Sequence, residues 1–133
     1  MRNAEIDVVP SVMDGPKNIQ ERSLEYGVRA VKLFRFLQKS RDVAGITVAK
    51  QFLRSATSIG ANLEEANAAE TKADFIHKCS IAQKEARECL YWLRLMTKAE
   101  IVKPSRIDDL IVETNELVAV ITAIARNARK RSE

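Results

Sequence analysis

The chain has 133 residues, 46% hydrophobic and 30% charged, a length and balance that suit one soluble domain with its own core. Its 4 glycines and 3 prolines are too few for a loop-rich β-sandwich, and its wealth of Ala, Leu, Ile, Glu, Lys and Arg favours helices. A formal charge of +4 admits an anionic partner such as RNA, DNA or an acidic protein, and is equally the ordinary surplus of a solvated surface.

Residues 1–17 contain Pro10, Gly15 and Pro16 and show no helical period, so they read as a flexible N-terminal arm. They lack the apolar stretch of a secretory signal, and no run in the chain approaches the ~18 apolar residues of a membrane span. A first helix is expected over about 18–41, opened by Asn18 with Glu21 as a capping-box-like pair. Its apolar residues Leu24, Val28, Val31, Leu33, Phe34, Phe36 and Leu37 cover more than one stripe, which predicts contact from two sides. Asp42 to Gly45 reads as a break. The second helix, about 47–68, carries Val48, Phe52, Ala56, Ile59, Leu63 and Ala66 at steps of three and four, a helical and not a strand period.

Thr71 and Asp74 form a second capping pair ahead of a third helix over about 72–100. Here Phe75, Cys79, Ala82, Ala86, Cys89, Leu93 and Met96 alternate steps of four and three, the cleanest heptad in the chain, widened by Ile76, Leu90 and Trp92. After a break at Pro104, Ser105 with Asp108 is expected to cap a fourth helix over about 105–129, with Ile107, Ile111, Thr114, Val118, Ile121 and Ala125 as its stripe. Asp108 and Asp109 at its start and Arg126, Arg129, Lys130 and Arg131 at its end suit the helix dipole. Short loops make successive helices antiparallel neighbours. The expected fold is therefore all-α: an antiparallel up-down-up-down four-helix bundle over 18–133, following the arm.

Little in this pattern can carry chemistry. A di-iron bundle site needs two Glu-x-x-His pairs plus further carboxylates. The chain has one histidine, His77, preceded only by Asp74, so no metal or other cofactor is expected. Ser58, Ser80, Cys79 and Cys89 lie within helices on or beside apolar faces, no glycine-rich phosphate loop is present, and Glu64 and Glu65 point ~100° apart. No catalytic residue is assigned. Cys79 and Cys89 share a helix at ~15 Å separation, too far to bridge, and two buried free thiols suit a reducing cytoplasm.

Two polar features stand out. Arg54, Ser58, Asn62 and Glu65 step by four, four and three along the second helix, beside the small residues Gly60 and Ala61. They read either as a solvated face or as a buried polar network at a helix–helix or subunit interface, with Asn62 fixing register. On the first helix, Arg29, Lys32, Arg35 and Lys39 fall within about a third of the circumference. Together with Arg126, Arg129, Lys130 and Arg131 they offer a basic surface for the phosphates of RNA or DNA. No aromatic residue is read as interleaved among them, so base stacking is not indicated.

The run Arg54-Ser55-Ala56-Thr57-Ser58-Ile59-Gly60-Ala61-Asn62-Leu63-Glu64-Glu65-Ala66, with Lys72-Ala73-Asp74-Phe75-Ile76-His77-Lys78, Lys84-Glu85-Ala86-Arg87-Glu88 and Tyr91-Trp92-Leu93, resembles the bacterial four-helix bundle proteins encoded in intervening sequences of 23S ribosomal RNA genes. The likeness spans about 20–125, and its Ser58-Ile59-x-x-Asn62-x-x-Glu65 core is fairly specific. It implies a ring-shaped homopentamer without enzyme activity. The family name reflects gene location, and RNA binding does not follow from it. A more distant similarity is to the basic, pentameric accessory protein of diversity-generating retroelements, which works with a reverse transcriptase and nucleic acid. Where many members read Ala-Glu-Gly this chain has Glu64-Glu65-Ala66, which lengthens its second helix. The functional expectation is a non-enzymatic oligomeric protein that binds nucleic acid or a ribonucleoprotein through its basic surface. The alternative is a homo-oligomeric interaction scaffold that ignores nucleic acid.

Overall fold

The computed structural model describes residues 18–132; the arm read from the sequence at 1–17 lies outside them. The described chain forms four helices, α1 (Ile19–Leu37), α2 (Val43–Asn67), α3 (Lys72–Lys98) and α4 (Pro104–Ser132), packed as an up-down-up-down bundle with no strand among the described residues. The all-α expectation from the three-and-four spacing holds.

Helix starts follow local hydrogen-bond chemistry. Asn18 Oδ1 accepts from the backbone N–H of Gln20 at 2.7 Å and of Glu21 at 3.3 Å, and Thr71 Oγ1 accepts from Asp74 N–H at 3.0 Å. Ser105 does not cap α4 as expected. The helix already begins at Pro104, whose fixed φ and missing N–H suit the first helical position, and Arg106 N–H bonds the Lys103 carbonyl. α1 stops at Leu37, short of Arg41: the backbone N–H groups of Lys39 and Ser40 turn back onto the Phe36 and Leu37 carbonyls. Lys39 therefore sits in the connecting turn.

α2 starts at Val43, earlier than Thr47, because Gly45 is part of its first turn and not a breaker. A Cβ at Gly45 would lie 2.7 Å from Asp42 Oδ2 and 3.1 Å from Ile101 Cγ2. The glycine is present because the α3–α4 connection presses against this turn.

The core follows the predicted stripes of α2 and α3 and, with Leu117 added, that of α4; on α1 it is made by Ile19, Tyr26, Ala30, Leu33 and Leu37, while Leu24, Val28 and Phe36 of the expected apolar set are exposed. Phe52, Ile59 and Leu63 of α2, Leu93 and Met96 of α3, and Ile107, Leu117 and Ile121 of α4 are essentially inaccessible. Each large side chain of this kind stabilises the fold by roughly 1.5–3 kcal/mol. α2 and α3 form the most extensive pair, and Ala49, Ala56, Ala66, Cys79, Ala82, Ala86 and Cys89 at their buried positions keep the two helices close. α1 packs mainly on α2 and only lightly on α4. Polar groups close that lighter α1–α4 seam. Arg22 grips Glu113 with Nε (3.1 Å) and Nη2 (2.8 Å) and also reaches Glu116 at 2.8 Å. Deeper in the seam, the Tyr26 hydroxyl bonds Thr114 Oγ1, whose own hydrogen goes to the Leu110 carbonyl.

α3 ends in a Schellman turn: Ile101 N–H bonds the Met96 carbonyl at 2.9 Å and Glu100 N–H that of Thr97 at 3.1 Å. The residue in the left-handed position is Glu100, with φ 60°, where glycine is usual. Replacing it should relieve strain without disturbing the core. Glu100→Gly is expected to raise stability by about 0.5–1 kcal/mol, read as a higher urea midpoint at unchanged slope.

Candidate nucleic-acid interface

Arg29, Lys32 and Arg35 project from α1 and Lys39 from the turn after it, and all four are exposed or partly so. Among the described residues none of them makes an ion pair, in contrast to Arg22, Arg54 and Lys78. The α1–α4 seam adds two residues that the sequence reading missed. Phe36 is 42% exposed, and the Arg106 guanidinium of α4 lies over its ring at 3.7 Å from the centroid. Arg29, Lys32, Phe36 and Arg106 line one open cleft of ≈ 260 Å³. An aromatic ring does stand among these bases, contrary to the expectation from sequence. The signal was the position of Phe36 four residues after Lys32; Arg106 needed the fold.

The C-terminal bases do not join this surface. Arg106 begins α4 beside the end of α1, and Arg126 follows about twenty residues later, ~30 Å along the helix. Arg126, Arg129, Lys130 and Arg131 stand at the opposite end of the bundle, where Arg129 Nη2 donates to Ser80 Oγ of α3 at 3.0 Å.

The polar stripe of α2 lies at the rim of the α2–α3 contact and not inside it. Arg54, 49% exposed, reaches Glu88 at 2.7 Å and Glu85 at 3.4 Å. Glu65, 61% exposed, pairs with Lys78 at 2.8 Å. Ser58 Oγ donates to the Arg54 carbonyl and Asn62 Nδ2 to the Ser58 carbonyl, both within their own helix. Burial works to raise the Glu88 carboxyl, but hydrogen bonds from Arg54 and from Trp92 Nε1 outweigh it and hold it below the usual carboxylate range. The stripe thus ties α2 to α3 by surface ion pairs, each of which contributes little to stability.

A second surface is apolar. Leu24 and Val28, 61% and 46% exposed, join Gly27, Val31, Gly60 and Ala61 along a groove of ≈ 380 Å³ between α1 and α2. A Cβ on Gly27 would meet no described residue within 4 Å. The buried Ser23, beside Gly60, has a hydroxyl without a hydrogen-bond partner among the described residues.

Among the described residues no group of three or more His, Cys, Asp and Glu can hold a metal ion, and His77 is exposed. No helix among them is long and apolar enough to cross a membrane. Both cysteines are free and buried.

The family model of the 23S rRNA-intervening sequence protein matches residues 17–123, most of the chain. The chain belongs to that family. A similar solved structure is that of a protein of unknown function from the S23 ribosomal protein family of Bacteroides thetaiotaomicron. It shares 39% identity and a TM-score of 0.73 over 81% of this chain and 95% of its own. No curated protein matches the chain.

Burial disfavours ionisation of three core groups, pushing the pKa of Cys79 up to about 11, that of Cys89 up to about 12 and that of Tyr26 well above its ordinary value. In the unfolded chain thiols ionise near pH ~8.5 and phenols near ~10. Above these values unfolding releases protons, so stability is full at neutral pH and falls as pH rises, by up to about 1.4 kcal/mol per pH unit for each group. Urea midpoints at about pH 7.5 and about pH 10 should show this loss, and Cys89→Ala should flatten it.

Proposed function

We propose that the chain is a non-enzymatic, homo-oligomeric binding protein whose ligand is nucleic acid, free or in a ribonucleoprotein, held by the basic α1–α4 seam. One observation carries this reading. The fold pairs Arg22, Arg54 and Lys78 with carboxylates across helices, yet Arg29, Lys32, Arg35 and Lys39 have no such partner among the described residues, and Arg29 and Lys32 line a cleft with an exposed aromatic ring and Arg106. Unpaired cations gain most from phosphates, because binding releases the counterions condensed on the nucleic acid. A reducing cytoplasm is where the free, buried Cys79 and Cys89 fit.

Self-association is supported by the apolar groove. Leu24 and Val28 face outward, and Gly27 costs the isolated helix about 1 kcal/mol relative to Ala although no neighbour among the described residues requires it. A helix of a second copy laid across Gly27 and Ala61 would account for both, in the homopentamer that the family resemblance implies. An interaction scaffold without nucleic acid is the second reading, favoured by the same groove.

Titration of RNA and DNA at about 50 and about 200 mM salt should show affinity falling steeply. Arg29→Ala and Lys32→Ala should each reduce the slope of log K against log salt by about 0.7–0.9, the share of one phosphate. Absence of binding at the lower salt would leave the scaffold reading. The double substitution Leu24→Glu, Val28→Glu should lower the mass seen by light scattering to that of a monomer with helix content unchanged; an unchanged mass would exclude the groove from assembly.

A further inference from the structure

The outward face of α3 carries a feature that neither the core heptad nor the α1–α4 seam uses. Lys84, Arg87, Tyr91, Arg94 and Lys98 follow one another at steps of three, four, three and four and are all exposed, so they form one stripe on the side of α3 away from the core. The stripe is ~21 Å long. Tyr91, 56% exposed, sits at its middle, with an arginine one turn to either side. Its ring is braced edge-on by Trp92 at 5.0 Å between centroids, and Trp92 is itself fixed by its hydrogen bond to Glu88.

A solvated helix face ordinarily mixes both signs of charge. Here the carboxylates are drawn off it. Glu85 and Glu88 lie on the α2 side of α3, where both engage Arg54. None of Lys84, Arg87, Arg94 and Lys98 makes an ion pair with a described residue. Arg129 extends the row toward the start of α3 through its hydrogen bond to Ser80, four residues before Lys84.

We infer that this stripe is a binding site for single-stranded nucleic acid, in which Tyr91 stacks on an unpaired base while Arg87, Arg94 and their neighbours contact the phosphates on either side. Cations at one-turn intervals around a stacking ring match the two needs of a single strand, a charged track and a platform for bases. A duplex hides its base faces and would leave Tyr91 unused. α1 and α3 stand on the diagonal of the bundle, so this site is separate from the α1–α4 seam. It rests on the reading of the protein as a nucleic-acid binder only in ligand class.

The test is fluorescence anisotropy with labelled RNA and DNA strands of about 12 nucleotides, single or annealed to their complements, at two salt concentrations. Single strands should bind more tightly than duplexes. Tyr91→Ala should weaken them about tenfold at unchanged salt slope, with Tyr91→Phe restoring affinity, whereas Arg87→Ala and Arg94→Ala should each lower the slope by about 0.7. All these positions are exposed, and circular dichroism checks that the helices persist. Wild-type binding by all the α3 variants, or equal binding of duplex with no effect of Tyr91→Ala, overturns the inference. Loss of binding in Arg29→Ala and Lys32→Ala alone would then leave the seam as the interface, and no binding by any probe at low salt removes both.

Discussion

Tyr26 is the residue through which all four helices meet. It belongs to α1, stands edge-on to Phe52 of α2 with ring centroids 6.3 Å apart, lies beside the Cys89 thiol of α3, and bonds Thr114 of α4. A buried hydroxyl is costly without a partner. Its bond therefore sets the level at which α1 lies against α4, where apolar contact is lightest. Thr114 can accept because it donates one turn back along its own helix. Arg22, one turn before Tyr26, repeats the same restraint at the surface with Glu113 and Glu116.

Much of this arrangement was legible in the sequence, and for identifiable reasons. The alternating four-three steps from Cys79 to Met96 define one helical face, and every residue of that run is buried. Asn18 and Thr71 precede residues whose N–H groups need acceptors, so their caps could be read locally. One failure depended on distant chain. Gly45 looked like a breaker because the Ile101 side chain that explains it is contributed by the α3–α4 connection. Ser105 resembles a cap only if Pro104 breaks the chain; as a first helical residue Pro104 moves the cap position ahead of it. The basic residues of α1 and of the end of α4 do not form one surface because α4 runs antiparallel to α1, a direction the up-down-up-down pattern already implies.

The same division separates the structural charges from the free ones. Arg54 and Glu65 belong to the polar stripe of α2, and both engage α3. Their work lies in helix pairing and in where negative charge ends up. By drawing Glu85 and Glu88 toward α2, Arg54 leaves one side of α3 uniformly basic. A substitution at residue 54 would thus be felt on a face that it does not itself line. Charge separation of this kind is a property of packing, which is why a nearly balanced composition with a net charge of only +4 yields strongly basic stripes.

The crowding of Gly45 by Asp42 and Ile101 has a mechanical consequence. It presses the α1–α2 turn against the α3–α4 connection at one end of the bundle, while the opposite end holds the α2–α3 loop, the start of α1 and the finish of α4. The described chain therefore enters and leaves the bundle at the end away from that contact. A force applied between residues 18 and 132 would load the α1–α4 seam one polar bond at a time, as a zipper is drawn, instead of shearing whole helices past each other.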